Sequence, residues 1–105
     1  KDLINRGGNK VAPIEVEAVF ADHPEIKAVL VTGVPDSQFG ESIHMLVIPK
    51  NAKAPSKQEL IDWAKDRTER FKLPDVVHYG EDLPLGPTGK ADRTALRHSI
   101  LGQNT

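Results

Sequence analysis

A chain of 105 residues with 38% hydrophobic and 28% charged content has the size of one compact domain that buries about two thirds of its unfolded surface. Its net charge of −1, without any basic run, excludes general attraction to nucleic acid or to an anionic membrane. The absence of cysteine excludes disulfides, thiolate metal sites and cysteine nucleophiles, and we expect a cytoplasmic protein.

No apolar stretch approaches the roughly 18 residues of a membrane span, and no secretory signal is present. The chain begins at Lys1 rather than Met and enters an apolar segment at once. We therefore expect it to be part of a longer protein.

The N-terminal segment KDLINRGGNKVAP predicts a small hairpin hinged at Gly7 and Gly8. Pro13 suits the first position of a helix, which His23 and Pro24 end. The apolar positions of this helix are Ile14, Val16, Val19 and Phe20.

Two strands follow, at residues 26–35 and 42–49. Both segments are rich in β-branched residues and nearly continuously apolar, which is typical of buried strands. The link DSQFGE has the residues of a turn, so the two strands are predicted to pair antiparallel.

The second half of the chain predicts a helix, a strand and a closing helix. Ser56 and Glu59 form a capping box before an apolar run, and residues 76–80 can add a third strand. The closing helix, DRTALRHSIL, has on one face Leu96, Ile100 and Leu101. The predicted class is therefore α+β: a small antiparallel sheet of about three strands flanked by helices, with an N-terminal glycine-hinged hairpin loop.

The segment PLGPTGKADR joins the third strand to the closing helix. Pro87, Thr88 and Gly89 predict a tight turn that leaves Lys90 at a junction between loop and helix. A phosphate-binding P-loop is excluded, because that motif requires Ser or Thr where this chain has Ala91.

The titratable residues show no familiar catalytic or metal-binding spacing. The histidines are far apart, none is part of a helical i, i+4 pair, and each is interpreted as a surface or strand residue: His23, His44, His78 and His98. No nucleophile elbow of the GxSxG type is present. We predict no metal site.

Four segments in this order and spacing closely resemble the C-terminal domain of the adenylate-forming superfamily: KDLINRGGNKVAPIEVE, VTGVPDSQFGE, RFKLP and LPLGPTGKADRTALR. The superfamily includes acyl-CoA synthetases, adenylation domains of peptide synthetases and luciferases. The resemblance covers residues 1–105 and implies a mobile lid, whose large N-terminal partner domain binds ATP and a carboxylic acid.

The resemblance implies a two-step reaction. A small-molecule carboxylate attacks the α-phosphate of ATP, supplied with Mg²⁺, to give acyl-AMP and pyrophosphate; the thiol of coenzyme A then displaces AMP. The lid rotates to present a different face to each step. The fragment alone is expected to be inactive and to bind no cofactor tightly.

The resemblance implies that Lys90 is the catalytic lysine, because a compact mobile cation is needed where negative charge builds on carboxylate and α-phosphate oxygens. The pattern Pro84-x-x-x-x-Gly89-Lys90 is also similar to a site acylated in relatives, which implies a lysine acyltransferase as a partner. Lys1 matches the hinge position.

The resemblance implies that the thiol arm of coenzyme A passes along a loop formed by Gly7, Gly8, Asn9 and Lys10, where a Cβ on Gly8 would narrow the channel. Phe39 and Phe71 match positions that stack on the coenzyme A adenine in some acyl-CoA synthetases, and Lys72 is a candidate for a nucleotide phosphate. A neighbouring position that is basic in some relatives is Leu73 here, which departs from that pattern.

Three hypotheses follow. The chain is the lid of an acyl-CoA synthetase, the lid of a peptide-synthetase or luciferase-like enzyme, or a freestanding binding domain without catalysis. The segments INRGGNKVAPIEVE and FKLP favour the first, and Asn5 replaces the lysine of luciferases. The acid substrate is not encoded in this segment, since the resemblance places the acyl pocket in the partner domain.

Overall fold

The structure, a computed structural model, describes residues 2–102. In chain order the elements are β1 (Ile4–Arg6), β2 (Asn9–Val11), α1 (Pro13–Ala21), β3 (Ile26–Asp36), β4 (Gly40–Pro49), α2 (Lys57–Ala64), a 3-10 turn (Arg70–Lys72), β5 (Val76–Tyr79) and α3 (Arg93–Gly102). The predicted α+β class is confirmed. In the described part of the chain, no helix is both long and apolar enough to cross a bilayer.

The sheet has five strands, because the N-terminal hairpin joins the three strands predicted from the sequence. The strand order is β2-β1-β4-β3, and β5 lies beside β4 as well. The predicted antiparallel pairing of β3 with β4 is confirmed and runs from Ile26 opposite Pro49 to Asp36 opposite Gly40. Strand β5 runs parallel to β4, since α2 intervenes and returns the chain to the end at which β4 began.

Apolar residues cover both faces over most of the sheet, which explains why β3 and the second half of β4 are nearly continuously apolar. Helices α1 and α2 pack on one face around a core of Ile4, Val11, Val16, Phe20, Ile26, Val31, Ile43, Met45, Val47, Leu60 and Ala64. Helix α3 packs on the other face over Leu30, Val34, Leu46, Ile48, Leu96 and Ile100.

Two predicted apolar positions lie outside these cores. Ile14 is 67% exposed although it belongs to α1, and Leu101 is 36% exposed at the end of α3. Both residues are on helix faces that no neighbouring element covers in residues 2–102.

The predicted helix starts are confirmed. Pro13 is the first residue of α1, and the Ser56 hydroxyl accepts from the backbone N–H of Glu59 at 3.1 Å. The Glu59 carboxylate in turn accepts from the backbone N–H of Ser56 at 2.8 Å, which lowers the pKa of Glu59. Helix α2 ends at Ala64, so that Phe71 lies in the separate 3-10 turn.

Candidate functional site

The loop before α3 is a short hairpin, here called the lysine hairpin (residues 84–92). The Gly86 N–H donates to the Lys90 carbonyl at 2.8 Å, and the Gly89 N–H donates to the Gly86 carbonyl at 3.0 Å. Gly89 has a φ of +84°, as expected for the last residue of a three-residue hairpin loop that ends in the left-handed region. The predicted tight turn is confirmed.

The lysine hairpin is joined directly to the first turn of α3. The Asp92 N–H donates to the Pro84 carbonyl at 2.9 Å, and the Asp92 carboxylate accepts from the Ala95 N–H at 3.1 Å as a helix cap. Lys90 is exposed, and within residues 2–102 its ammonium group has no ion-pair partner. An oriented backbone therefore carries a cation that is available to an anion outside the domain.

The second candidate loop is the turn between β1 and β2, here called the glycine turn (Gly7 and Gly8). Arg6 and Asn9 flank it as a strand pair, and φ is +58° at Gly7 and +91° at Gly8, which defines a two-residue type I′ turn. No heavy atom lies within 4 Å of the place that a Cβ on Gly8 would take. Within the domain, the positive φ of Gly8 therefore requires glycine at this position, and a lack of space does not.

The structure brings Phe39 to the glycine turn. The Gly7 N–H donates to the Phe39 carbonyl at 2.7 Å, and the guanidinium carbon of Arg6 lies 4.2 Å from the centroid of the Phe39 ring. Phe39 is half-buried. Three of the residues predicted for thioester formation, Gly7, Gly8 and Phe39, therefore form one surface.

The turn that carries Phe39 is held by an aspartate. The Asp36 carboxylate accepts from the backbone N–H groups of Gln38 at 2.7 Å and Phe39 at 3.0 Å. These two hydrogen bonds, that of Phe39 first, lower the pKa of Asp36. Near neutral pH, where the carboxylate is charged, it therefore holds the turn through these two hydrogen bonds.

The remaining candidates differ in how free they are to bind a ligand. Asn9 and Lys10 are exposed on β2. Phe71 is half-buried against the core beneath α1 and α2. The Lys72 ammonium lies 3.2 Å from Glu69 and 3.5 Å from Glu15, so its charge is already balanced inside the domain.

The hydrogen bond to Glu69 raises the pKa of Lys72, and the group remains charged near neutral pH. The predicted hinge, Lys1, lies outside the described residues. Among residues 2–102 there is no group of three or more His, Cys, Asp or Glu side chains that could hold a metal ion.

Among the long-range contacts that the sequence analysis did not predict is a histidine pair. Nδ1 of His44 and Nε2 of His78 are 2.9 Å apart, and Nε2 of His44 is 3.1 Å from the Ser42 hydroxyl. Burial lowers the pKa of both histidines, and the neighbouring charge of His78 lowers that of His44 further. Only the parallel pairing of β5 with β4 brings these side chains together.

An ion pair between Arg6 and Asp75, which are 69 residues apart, was also missed. Nη2 of Arg6 lies 2.7 Å from Oδ1 of Asp75, and Nε lies 2.9 Å from Oδ2. The hydrogen bond to Asp75 raises the pKa of Arg6, so the guanidinium is always charged. No local sequence signal identifies this pair.

Comparison with known proteins identifies the family of the chain. Residues 15–90 match the family model described as the AMP-binding enzyme C-terminal domain. The chain is 38% identical over 103 residues to a probable CoA ligase, CCL9, of Humulus lupulus, and 37% identical over 101 residues to an oxalate–CoA ligase of Arabidopsis thaliana. These matches cover 98% and 96% of the chain, and 20% of each relative.

A solved structure, the fatty acyl CoA synthetase of Mycobacterium tuberculosis, superposes with a TM-score of 0.90 at 34% identity. The match covers 97% of this chain and 20% of that one. The chain belongs to the AMP-binding enzyme C-terminal domain family, which confirms the resemblance noted in the sequence. It spans about a fifth of the length of the curated relatives that it matches.

Proposed function

We propose that residues 1–105 are the C-terminal lid of an AMP-forming acyl-CoA synthetase, which turns about Lys1 against a large N-terminal domain. The observation that carries the proposal is an exposed lysine that has no ion-pair partner among residues 2–102, at the end of a hairpin whose backbone is held by hydrogen bonds. The relatives are named as CoA ligases, which supports coenzyme A as the thiol.

In the first half-reaction a carboxylate oxygen attacks the α-phosphorus of ATP, the bond to the β-phosphate oxygen breaks, and pyrophosphate leaves. Negative charge accumulates on the α-phosphate oxygens, and the Lys90 ammonium stabilises it with up to three hydrogen bonds. Mg²⁺ would be held by the oxygens of the triphosphate and would neutralise part of their charge.

In the second half-reaction the thiol of coenzyme A gives up its proton to solvent and its sulfur attacks the acyl carbonyl carbon. The bond between that carbon and the phosphate oxygen of AMP breaks, and AMP leaves with its electrons. The surface formed by the glycine turn and Phe39 is the proposed thioester face, with Asn9 and Lys10 beside it. Phe71 and Lys72 are weaker candidates for the nucleotide of coenzyme A, because Lys72 would have to give up its contacts with Glu15 and Glu69.

The two faces are tested separately in the full-length enzyme. Lys90→Ala should slow adenylation, measured as ATP–pyrophosphate exchange, by about 10²–10³-fold or more, and should spare thioester formation from supplied acyl-AMP. Lys50→Ala is the matched control, because Lys50 is also an exposed lysine in a loop. It should leave both half-reactions unchanged.

Gly8→Leu should impair thioester formation and spare exchange. Because any L residue at this φ is strained, Gly8→Ala serves as its control: it has the same backbone strain with the smallest side chain. The excess loss in Gly8→Leu then measures obstruction of the thiol path. Equal loss of both half-reactions in Lys90→Ala and Gly8→Leu, with circular dichroism unchanged, would contradict a lid with two alternating faces.

A further inference from the structure

We propose that Arg6 is a positioning residue, which locks the glycine turn and the Phe39 ring into one rigid unit of the thioester face. The inference rests on the function proposed above. The hairpin is anchored at its base by Ile4 and Val11, which are buried in the core. At its turn end, strand β1 pairs with β4 through Arg6 opposite Gly40.

The Arg6 side chain adds a further attachment at the turn end of the hairpin. Nε and Nη2 of Arg6 donate to the two oxygens of the Asp75 carboxylate, at 2.9 and 2.7 Å. Among side chains, only arginine offers two donors in this planar geometry. Asp75 is itself fixed to the sheet, because its carboxylate accepts from the Ile43 N–H at 2.7 Å and its own N–H donates to the Ile43 carbonyl at 2.8 Å. The ion pair therefore connects the hairpin to Ile43, in the first half of β4.

The guanidinium carbon of Arg6 also lies over the Phe39 ring, 4.2 Å from its centroid, which is within the range of a cation–π contact. The N–H of Gly7, the next residue after Arg6, donates to the Phe39 carbonyl. Side chain and backbone of Phe39 are thus both held by neighbouring residues of the hairpin. One ring face is occupied by Arg6, so a base can stack only on the other.

Both charged partners are partly shielded from water, with exposed side-chain fractions of 22% for Arg6 and 19% for Asp75. An ion pair in this setting is screened less than a surface pair and holds a defined geometry. Lysine in place of arginine would keep the charge and lose both the paired hydrogen bonds and the planar stacking.

The test uses the full-length enzyme with coenzyme A as the varied substrate. Arg6→Lys should raise KM for coenzyme A about tenfold and leave ATP–pyrophosphate exchange within about twofold of the wild type, as expected for coupled side chains in contact. Arg67→Lys is the matched control, because the Arg67 guanidinium also stacks on an aromatic ring, Trp63, at 3.6 Å. It should change neither value.

A double-mutant cycle separates positioning from a general structural role. If Arg6 acts through Phe39, adding Arg6→Lys to Phe39→Leu should raise KM for coenzyme A much less than it does in the wild type. If Arg6→Lys folds poorly, Asp75→Asn tests the same ion pair from the other side. It removes the negative charge that Arg6 binds, while the amide oxygen can still accept from the Ile43 N–H. This variant should also raise KM for coenzyme A and spare exchange.

Three outcomes would overturn the inference: an unchanged KM for coenzyme A, additive effects in the cycle, or equal loss of exchange and thioester formation. The Gly8 variants show which proposal has failed. If Gly8→Leu blocks thioester formation while Arg6→Lys does not affect it, only the role of Arg6 is wrong. If neither change affects that step, the thioester face itself is wrong, and the role of Arg6 falls with it.

Discussion

Replacing Gly89 with alanine is expected to slow the proposed adenylation step by up to about 30-fold. Gly89 has a φ of +84°, and an L residue held in the left-handed region costs about 1–2 kcal/mol, or about 5–30-fold in an equilibrium. No heavy atom lies within 4 Å of the place that the new Cβ would take, so the whole penalty is conformational.

This strain should be relieved inside the lysine hairpin rather than borne by the domain. The turn is exposed, and the two hydrogen bonds that close it, Gly86 to Lys90 and Gly89 to Gly86, involve no core residue. If the turn rearranges, Lys90 loses its fixed direction while α3 remains capped by Asp92. The loss of rate should therefore exceed any loss of helix content.

Two further variants isolate the effect of φ. Gly86→Ala puts a methyl group in the same hairpin without a positive φ, and its nearest contact would be an ordinary 3.7 Å to the Asp92 carboxylate. It should be close to wild type. Gly89→Asn should recover much of the rate, because asparagine tolerates the left-handed region.

ATP–pyrophosphate exchange in the full-length enzyme measures the rate, and circular dichroism checks the fold. Full activity in Gly89→Ala would refute the link between the turn and Lys90. Equal loss in Gly86→Ala would refute it as well, because the effect would then not depend on φ.

Three other predictions concern binding, modification and pH. The isolated chain should fold but bind ATP more weakly than micromolar, because Lys90 offers the nucleotide only one charged contact; micromolar affinity in calorimetry would contradict this. Acetylation of Lys90 in the full-length enzyme should suppress exchange as Lys90→Ala does, since it removes the positive charge, and an acetylated enzyme with the full rate would exclude such control. Because burial holds the pKa values of His44 and His78 below 6.5, the unfolded chain binds more protons below that pH, and stability should fall as pH drops from about 7 to about 5. His78→Gln should flatten this slope in urea unfolding followed by Trp63 fluorescence, and an unchanged slope would mean that other groups cause the acid sensitivity.

Much of the local structure was predictable because its causes lie within a few residues. Two adjacent glycines between short strands specify a type I′ turn, Pro13 starts a helix, and Ser56 with Glu59 caps another. The turn before Lys90 is likewise determined by residues within the turn itself. The resemblance to a family depends on such segments in order, and for that reason the sequence alone was enough to recognise it.

Only the tertiary structure decided which distant side chains meet. The parallel direction of β5 sets His78 against His44, although neither position has a recognisable spacing to the other. Arg6 pairs with Asp75, which lies 69 residues away along the chain. Through its contacts with Asp75 and Phe39, the Arg6 side chain connects the glycine turn to the sheet and to the Phe39 ring. Short sequence patterns encode backbone conformation, whereas contacts between separate elements depend on strand direction and register, which the packing of the whole chain determines.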